Sequence, residues 1–253
     1  IMCIVILKDK HGEVSKDHLQ NSFDNNPDGA GYLFANNGLI TLKKGFFKFL
    51  EFWESFSRDM IEMNNPISII HFRIKTHGAT NKMNCHPFLI NDGLGFAHNG
   101  IIDFVNDHKQ KSDTLVFRND ILNNLPEGFI FNTAIMELIT EAIGTSKLVF
   151  LNGNGEFRIV NQKMGHWSND GLVWYSNDSY SFYGYSGYYG HYAYKDYLSI
   201  GAKKKKKKKK KSNNIFEDLE YLNCRTCNTN LTSLPERKIG HCDRCYGDHP
   251  RKV

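Results

Sequence analysis

The 253-residue chain has no apolar run near the roughly 18 residues that a membrane-crossing helix requires. It also shows no positively charged leader ahead of an apolar signal core. These two absences argue against a membrane protein and lead to the expectation of a cytoplasmic one. Cysteine is scarce, with six residues. Four of them crowd near the C-terminus, so Cys3 and Cys85 alone are left, too few for a disulfide framework and consistent with a reducing compartment. An excess of charge is missing too, despite the formal +5. The run Lys203 to Lys211 supplies nine of the 32 basic residues, and without it 23 basic residues face 27 acidic ones, so the body of the chain is mildly acidic. Attraction to polyanions is therefore local to that run.

Strict alternation of strands and helices is lacking as well, which excludes a doubly wound sheet. "CIVILK" reads as a buried β-branched strand. "AGYLFANNGLITLKKG" reads as a hairpin turning at Asn36-Asn37-Gly38, where Asn and Gly tolerate positive φ. Apolar residues at three and four spacings predict an amphipathic helix from Phe47 to Met63. "ISIIHFRI", "HPFLI" and "LGFAHNGII" follow as strands with polar ends. Helical periodicity returns over Thr114–Asn124, with Ser112 or Asp113 as N-cap, and over Phe131–Ile143. "KLVFLNGNGEFRIVN" is a second hairpin and "GLVWYSN" a last strand. The order predicts an α+β fold in which helices cover sheet faces.

From about residue 178 the composition turns to Tyr, Gly and Ser without a period. This segment reads as an irregular tail draped over the domain or as a stacking surface for bases or a partner. The main domain is expected over residues 3–200, a Lys-rich linker over 201–220 and a small module over 221–253. In that module Cys224, Cys227, Cys242 and Cys245 stand as C-x2-C-x14-C-x2-C. Two close thiolate pairs supply the tetrahedral sulfur set that Zn²⁺ favours, with no open position for catalysis, so a structural zinc ribbon is expected.

The chemistry-bearing residues gather elsewhere. "HFRIKTHG" ends a buried strand with Arg73 and imidazoles, and "NCHPF", "PDGAGY", "AHNG" and "SDT" are polar pieces at strand or helix ends. Cys3 alone reads as packing. With Ile1 and Met2 removed, however, its α-amino group, with an ordinary pKa of about 7.7–8.0, would be a base beside its own sulfur.

"MC" at the start, "PDGAGY", "HFRIKTHG" with "NCHPF", "AHNGII" and "SDT", in this order over roughly residues 3 to 180, resemble the class II glutamine amidotransferases, the N-terminal-nucleophile (Ntn) hydrolases that release ammonia from glutamine. The resemblance implies a four-layer αββα sandwich with Cys3 as nucleophile and Asn99 and Gly100 as the oxyanion-hole pair. It further implies Arg73 as the clamp for the substrate carboxylate, Asp113 as the holder of its ammonium, and Thr76, His77 and Gly78 as pocket lining. Where the family often has Trp-Ala between Arg and Thr, this chain has Ile74-Lys75. His71 and His86 read as hydrogen-bonded structural residues, and Asp28 as the fixer of a turn.

The expected activity is glutamine amide hydrolysis through a Cys3 thioester with no cofactor for that chemistry. The ammonia would pass to a synthase partner in trans. The alternative is a non-catalytic protein of the same fold that grips nucleic acid or a protein partner with its basic, zinc-bearing tail through Lys203 to Lys211.

Overall fold

The structure is a computed structural model that describes residues 3–75, 78–103 and 110–181. The Lys run, the four C-terminal cysteines and the boundaries near 200 and 220 lie outside the described residues, as do Thr76 and His77.

Two antiparallel sheets lie face to face. The first takes its strands in the order β3-β2-β4-β1-β10-β9. These are β1 (Ile4–Lys8), β2 (Ala30–Asn36), β3 (Leu39–Phe46), β4 (Ser68–Phe72), β9 (His166–Trp167) and β10 (Val173–Tyr175). The second runs β5-β6-β7-β8, from β5 (Phe88–Asn91), β6 (Leu94–Asn99), β7 (Lys147–Asn152) and β8 (Phe157–Val160). Helices α1 (Lys16–Asn25) and α2 (Phe49–Glu62) cover the outer face of the first sheet, while α3 (Asp113–Asp120) and α4 (Thr133–Ile143) cover that of the second.

The alternation of side chains along a strand explains the layering. In β1, Ile4 and Ile6 pack with Leu19 and Phe23 of α1 and Phe52 and Phe56 of α2. Val5 and Leu7 face the other way and meet Ala97, Val149 and Leu151 of the second sheet. Across that sheet, Phe96, Leu148 and Phe150 pack on Leu115 and Phe117 of α3 and Ile139 and Ile143 of α4. Three apolar layers thus separate four layers of elements in the order helix, sheet, sheet, helix. Strands such as β1 and β4 are buried along their whole length, because both of their faces are covered.

Several details differ from the sequence reading. Helix α1 was not anticipated: Leu19 and Phe23 are its only large buried apolar residues, too few to make a clear period. The helix expected over Thr114–Asn124 starts at Asp113 and ends at Asp120, and Leu122–Asn124 form a separate 3-10 turn. Ser112, not Asp113, is its N-cap, accepting from the Leu115 N–H at 3.2 Å. The first residues of the Tyr-rich segment fold back onto α1, where the Ser179 and Tyr180 carbonyls accept from Asn25 and Asn21. Among the described residues no helix is long and apolar enough to cross a membrane.

Phe52 is fully buried, with ring centroids 5.0 Å from Phe72 and 5.6 Å from Phe56. Phe52→Ala is expected to remove about 3–5 kcal/mol of unfolding free energy, read from urea titration; a loss under about 1 kcal/mol would show that the outer layer collapses around the void.

Candidate active site

Antiparallel pairing of β1 with β4 sets Ile4 opposite Phe72, so the residue entering β1 meets the residues leaving β4. Cys3 enters and Arg73 and Ile74 leave. The Cys3 thiol donates to the Ile74 carbonyl, and the Ile74 N–H points back at Sγ, both at 3.3 Å. The Cys3 carbonyl accepts from Asn177, just past β10, at 2.7 Å, and also from the side-chain amide of Asn99 at the end of β6. One carbonyl thereby joins the ends of three strands drawn from both sheets.

Arg73 is held at its backbone by the "PDG" turn. Its N–H donates to the Gly29 carbonyl and its carbonyl accepts from the Asp28 N–H, at 2.8 and 2.9 Å. The Asp28 carboxylate accepts from the Lys75 N–H at 2.8 Å, so it ties this turn to the segment after β4 instead of bonding within the turn. The Arg73 guanidinium is buried and donates to the Ala79 carbonyl at 3.3 Å.

With Ser112 capping α3, Asp113 in the first turn takes a different task. One carboxylate oxygen accepts from the Ile102 N–H at 2.9 Å and the other from the Thr114 N–H at 2.8 Å. A carboxylate there is also favoured by the positive end of the helix dipole. Between these groups Gly100 has φ +141°, and a Cβ on it would lie 2.1 Å from Ser146 Oγ. Only glycine allows that chain path.

These groups surround a small cavity whose lining includes Cys3, Arg73, His86, His98, Gly100 and Asp113. Asn99 bonds the Cys3 carbonyl with one amide hydrogen, and among the described residues the other has no partner. Gly78 lies against Lys111 and Ser112 at the start of α3, where a Cβ would fall 2.8 Å from the Ser112 nitrogen.

The cavity suppresses charge on its titratable walls. Burial pushes the Cys3 thiol up to about 11, against the opposing pull of the Ile74 N–H and the Arg73 charge. Burial lowers His71 to about 3, His98 to about 4 and His86 well below its ordinary value. His71 Nε2 donates to the His98 carbonyl at 3.1 Å, and its ring lies 4.2 Å from that of His86. His98 Nδ1 lies 2.8 Å from Thr114 Oγ1. A protonated thiol and neutral imidazoles thus share the space with one guanidinium and one carboxylate, a pairing suited to a small zwitterion.

Asn177 and His98 were not singled out from the sequence. Asn177 follows a short strand, and only the placement of β10 beside β1 brings it to Cys3. His98 stood inside the quoted "AHNG", but its link to Thr114 depends on how α3 packs.

No family model matches the chain. A curated relative, the glutamine–fructose-6-phosphate aminotransferase [isomerizing] of Agrobacterium fabrum, is 24% identical over 135 residues. The match takes in 49% of this chain and 22% of that protein, so the chain spans less than a quarter of the relative's length. A solved structure, the glutamine phosphoribosylpyrophosphate (PRPP) amidotransferase of B. subtilis complexed with ADP and GMP, is 17% identical with a TM-score of 0.46, over 70% of this chain and 42% of that one. The curated relative is named for glutamine.

The three histidines carry a pH dependence. Unfolded, each has a pKa of about 6.5, and folded they sit at about 3, about 4 and well below the ordinary value. The unfolded chain therefore binds more protons between these limits. Stability is complete above about pH 6.5 and falls as the pH drops toward 4, by up to about 1.4 kcal/mol per pH unit for each histidine. Urea titrations at pH 7, 6 and 5 should show this slope, and His71→Gln should lessen it by one histidine's share; an unchanged slope would refute the assignment for His71.

Proposed function

We propose that this chain hydrolyses the side-chain amide of glutamine as a class II glutamine amidotransferase domain, with Cys3 as nucleophile. One observation carries the reading: Cys3, Arg73, Gly100 and Asp113 line a single cavity. The relative named for glutamine, matched over about half of the chain, supports it. In this reading Arg73 holds the substrate carboxylate through two parallel N–H groups and Asp113 holds its ammonium, and the resemblance assigns Thr76, His77 and Gly78 to substrate binding as well.

With a thiol pKa of about 11, only about one thiolate in 10⁴ is present at pH 7. A base must therefore take the proton as the sulfur attacks. Removal of Ile1 and Met2 supplies one, the Cys3 α-amine, whose ordinary pKa of about 7.7–8.0 suits work near neutrality. Sulfur bonds to the amide carbon as the amine accepts the thiol proton. The oxyanion that forms is held by the Gly100 N–H and the remaining amide hydrogen of Asn99. Collapse breaks the C–N bond, the amine returns its proton to the departing nitrogen, and ammonia leaves. Water then cleaves the thioester to give glutamate and restores the thiol. The ammonia passes to a synthase partner in trans.

Wild-type protein starting at Cys3 should turn over glutamine and take one label from a glutamine-analogue electrophile, and Cys3→Ala should lose both. Intact mass showing Ile1 and Met2 retained on active protein would refute the amine-base mechanism, and folded, unlabelled wild-type protein would refute the enzyme.

Cys224, Cys227, Cys242 and Cys245 are proposed to hold one structural Zn²⁺, because four thiolates close a tetrahedral shell. Metal analysis should find one zinc per chain, lost in the double variant Cys224→Ser/Cys227→Ser with glutamine turnover retained. Zinc persisting in that variant would overturn the assignment.

A further inference from the structure

Asn84 is fully buried in the 3-10 turn Lys82–Asn84 and is not part of the cavity wall. Its amide is nevertheless tied to both ends of the zwitterion site. Nδ2 donates to the Ala79 carbonyl at 3.0 Å and to the Gln110 carbonyl at 2.8 Å, while Oδ1 accepts from the Ser112 N–H at 2.9 Å. The Ala79 carbonyl is the one that also receives the Arg73 guanidinium. Ser112 caps α3 and so fixes where Asp113 begins it. Residues 79 and 110 lie side by side, and the backbone bond between them is long, Ala79 N–H to the Gln110 carbonyl at 3.5 Å. Gly78 passes against Lys111 and Ser112 without room for a Cβ.

A planar carboxamide offers two donors and an acceptor within one small side chain. Aspartate has the same shape but would turn oxygen lone pairs on two carbonyls. Alanine would leave the Ala79 and Gln110 carbonyls and the Ser112 N–H without the amide that joins them.

We propose that Asn84 is a positioning residue that sets the separation between the Arg73 guanidinium and the Asp113 carboxylate, and so selects substrates whose anionic and cationic groups stand on one carbon, as in an α-amino acid. The inference rests on the proposed function and adds the determinant of its substrate class. Asn84 touches neither thiol nor oxyanion donors in this arrangement, so its removal weakens recognition while the chemistry at sulfur persists.

The test uses the full chain as wild type, Asn84→Ala, Asn84→Ser and Asn84→Asp. The expected result is a KM for glutamine raised tenfold or more with kcat within about threefold, and an unchanged rate of Cys3 alkylation by iodoacetamide, which needs no zwitterion site. Preference for glutamine over glutaramate, which lacks the ammonium, should shrink in the same variants. Hydrogen exchange at the Ser112 amide should quicken while the β6–β7 ladder keeps its protection. A wild-type KM in Asn84→Asp or Asn84→Ala would overturn the inference, and so would loss of kcat at constant KM. Global unfolding of all three variants would overturn it as well, since Asn84 would then serve the fold as a whole. Wild-type protein inert toward glutamine would instead overturn the proposed function, and that outcome is separate because exchange at Ser112 reads the Asn84 bridge without substrate.

Discussion

The site depends on the register between β1 and β4. With Ile4 opposite Phe72, the face of β1 that carries Val5 and Leu7 toward the second sheet extends one step back to Cys3. The face of β4 that carries Ile69 inward extends forward through His71 to Arg73. From the opposite sheet, β6 points Ala97 into the same layer and then reaches Asn99, whose amide closes on Cys3. A slip of one residue would turn Cys3 or Arg73 to the helix-covered face and dissolve the arrangement. The alternating apolar residues that hold the register are thus as necessary to the meeting of Cys3, Arg73 and Asn99 as those polar residues themselves.

That open end of the sandwich is where the fold tolerates what its core does not. Among the described residues, six buried side-chain polar atoms lack a hydrogen-bond partner, and four of them belong to His71, His86, His98 and Asn99. Folded proteins leave few such atoms, and a protein that gathers them beside one cavity carries them for a reason other than stability. The remaining polar residues there are well satisfied. Asn84 uses both amide hydrogens and its oxygen, Asp28 ties down Lys75, and Asp113 holds Ile102. Rigid support thus surrounds a few groups with capacity to spare.

Much of this was legible in the residue order because local physics governs it. The hairpin at Asn36–Gly38, the Phe47–Met63 period and the apolar strands are encoded by neighbours a few positions apart, and they form close to where they were expected. The polar ends of β4 and β6 marked a place where a buried strand has no packing reason for such groups, while the parts given to Arg73, Asn99 and Gly100 rest on the resemblance. What stayed hidden was set by long-range closure. Helix α1 offers only Leu19 and Phe23 to a core that the rest of the chain must build first. Asn177 reaches Cys3 from 174 positions away, and Asn84 matters only because residues 79 and 110 lie side by side. Ser112 and Asp113 were indistinguishable as caps by type, and the carboxylate was freed for the cavity because the hydroxyl takes the Leu115 N–H.

Burial works on this site in two directions. The apolar layers that fix the register also withdraw water from Cys3 and the histidines, which keeps thiol and imidazoles uncharged. A resting thiol of this kind is a poor nucleophile. The same withdrawal strengthens each remaining electrostatic contact, among them those of the Arg73 guanidinium with the Ala79 carbonyl and of the Asp113 carboxylate with the Ile102 and Thr114 N–H groups. Under the proposed function, a ligand with a positive and a negative end adds a partner to each of these two charged groups and presents its side chain to the sulfur, whereas a neutral molecule of equal size adds none. The environment that keeps the sulfur protonated is therefore the one that strengthens these polar contacts, and under the proposed function reaction waits on a base delivered next to the thiol.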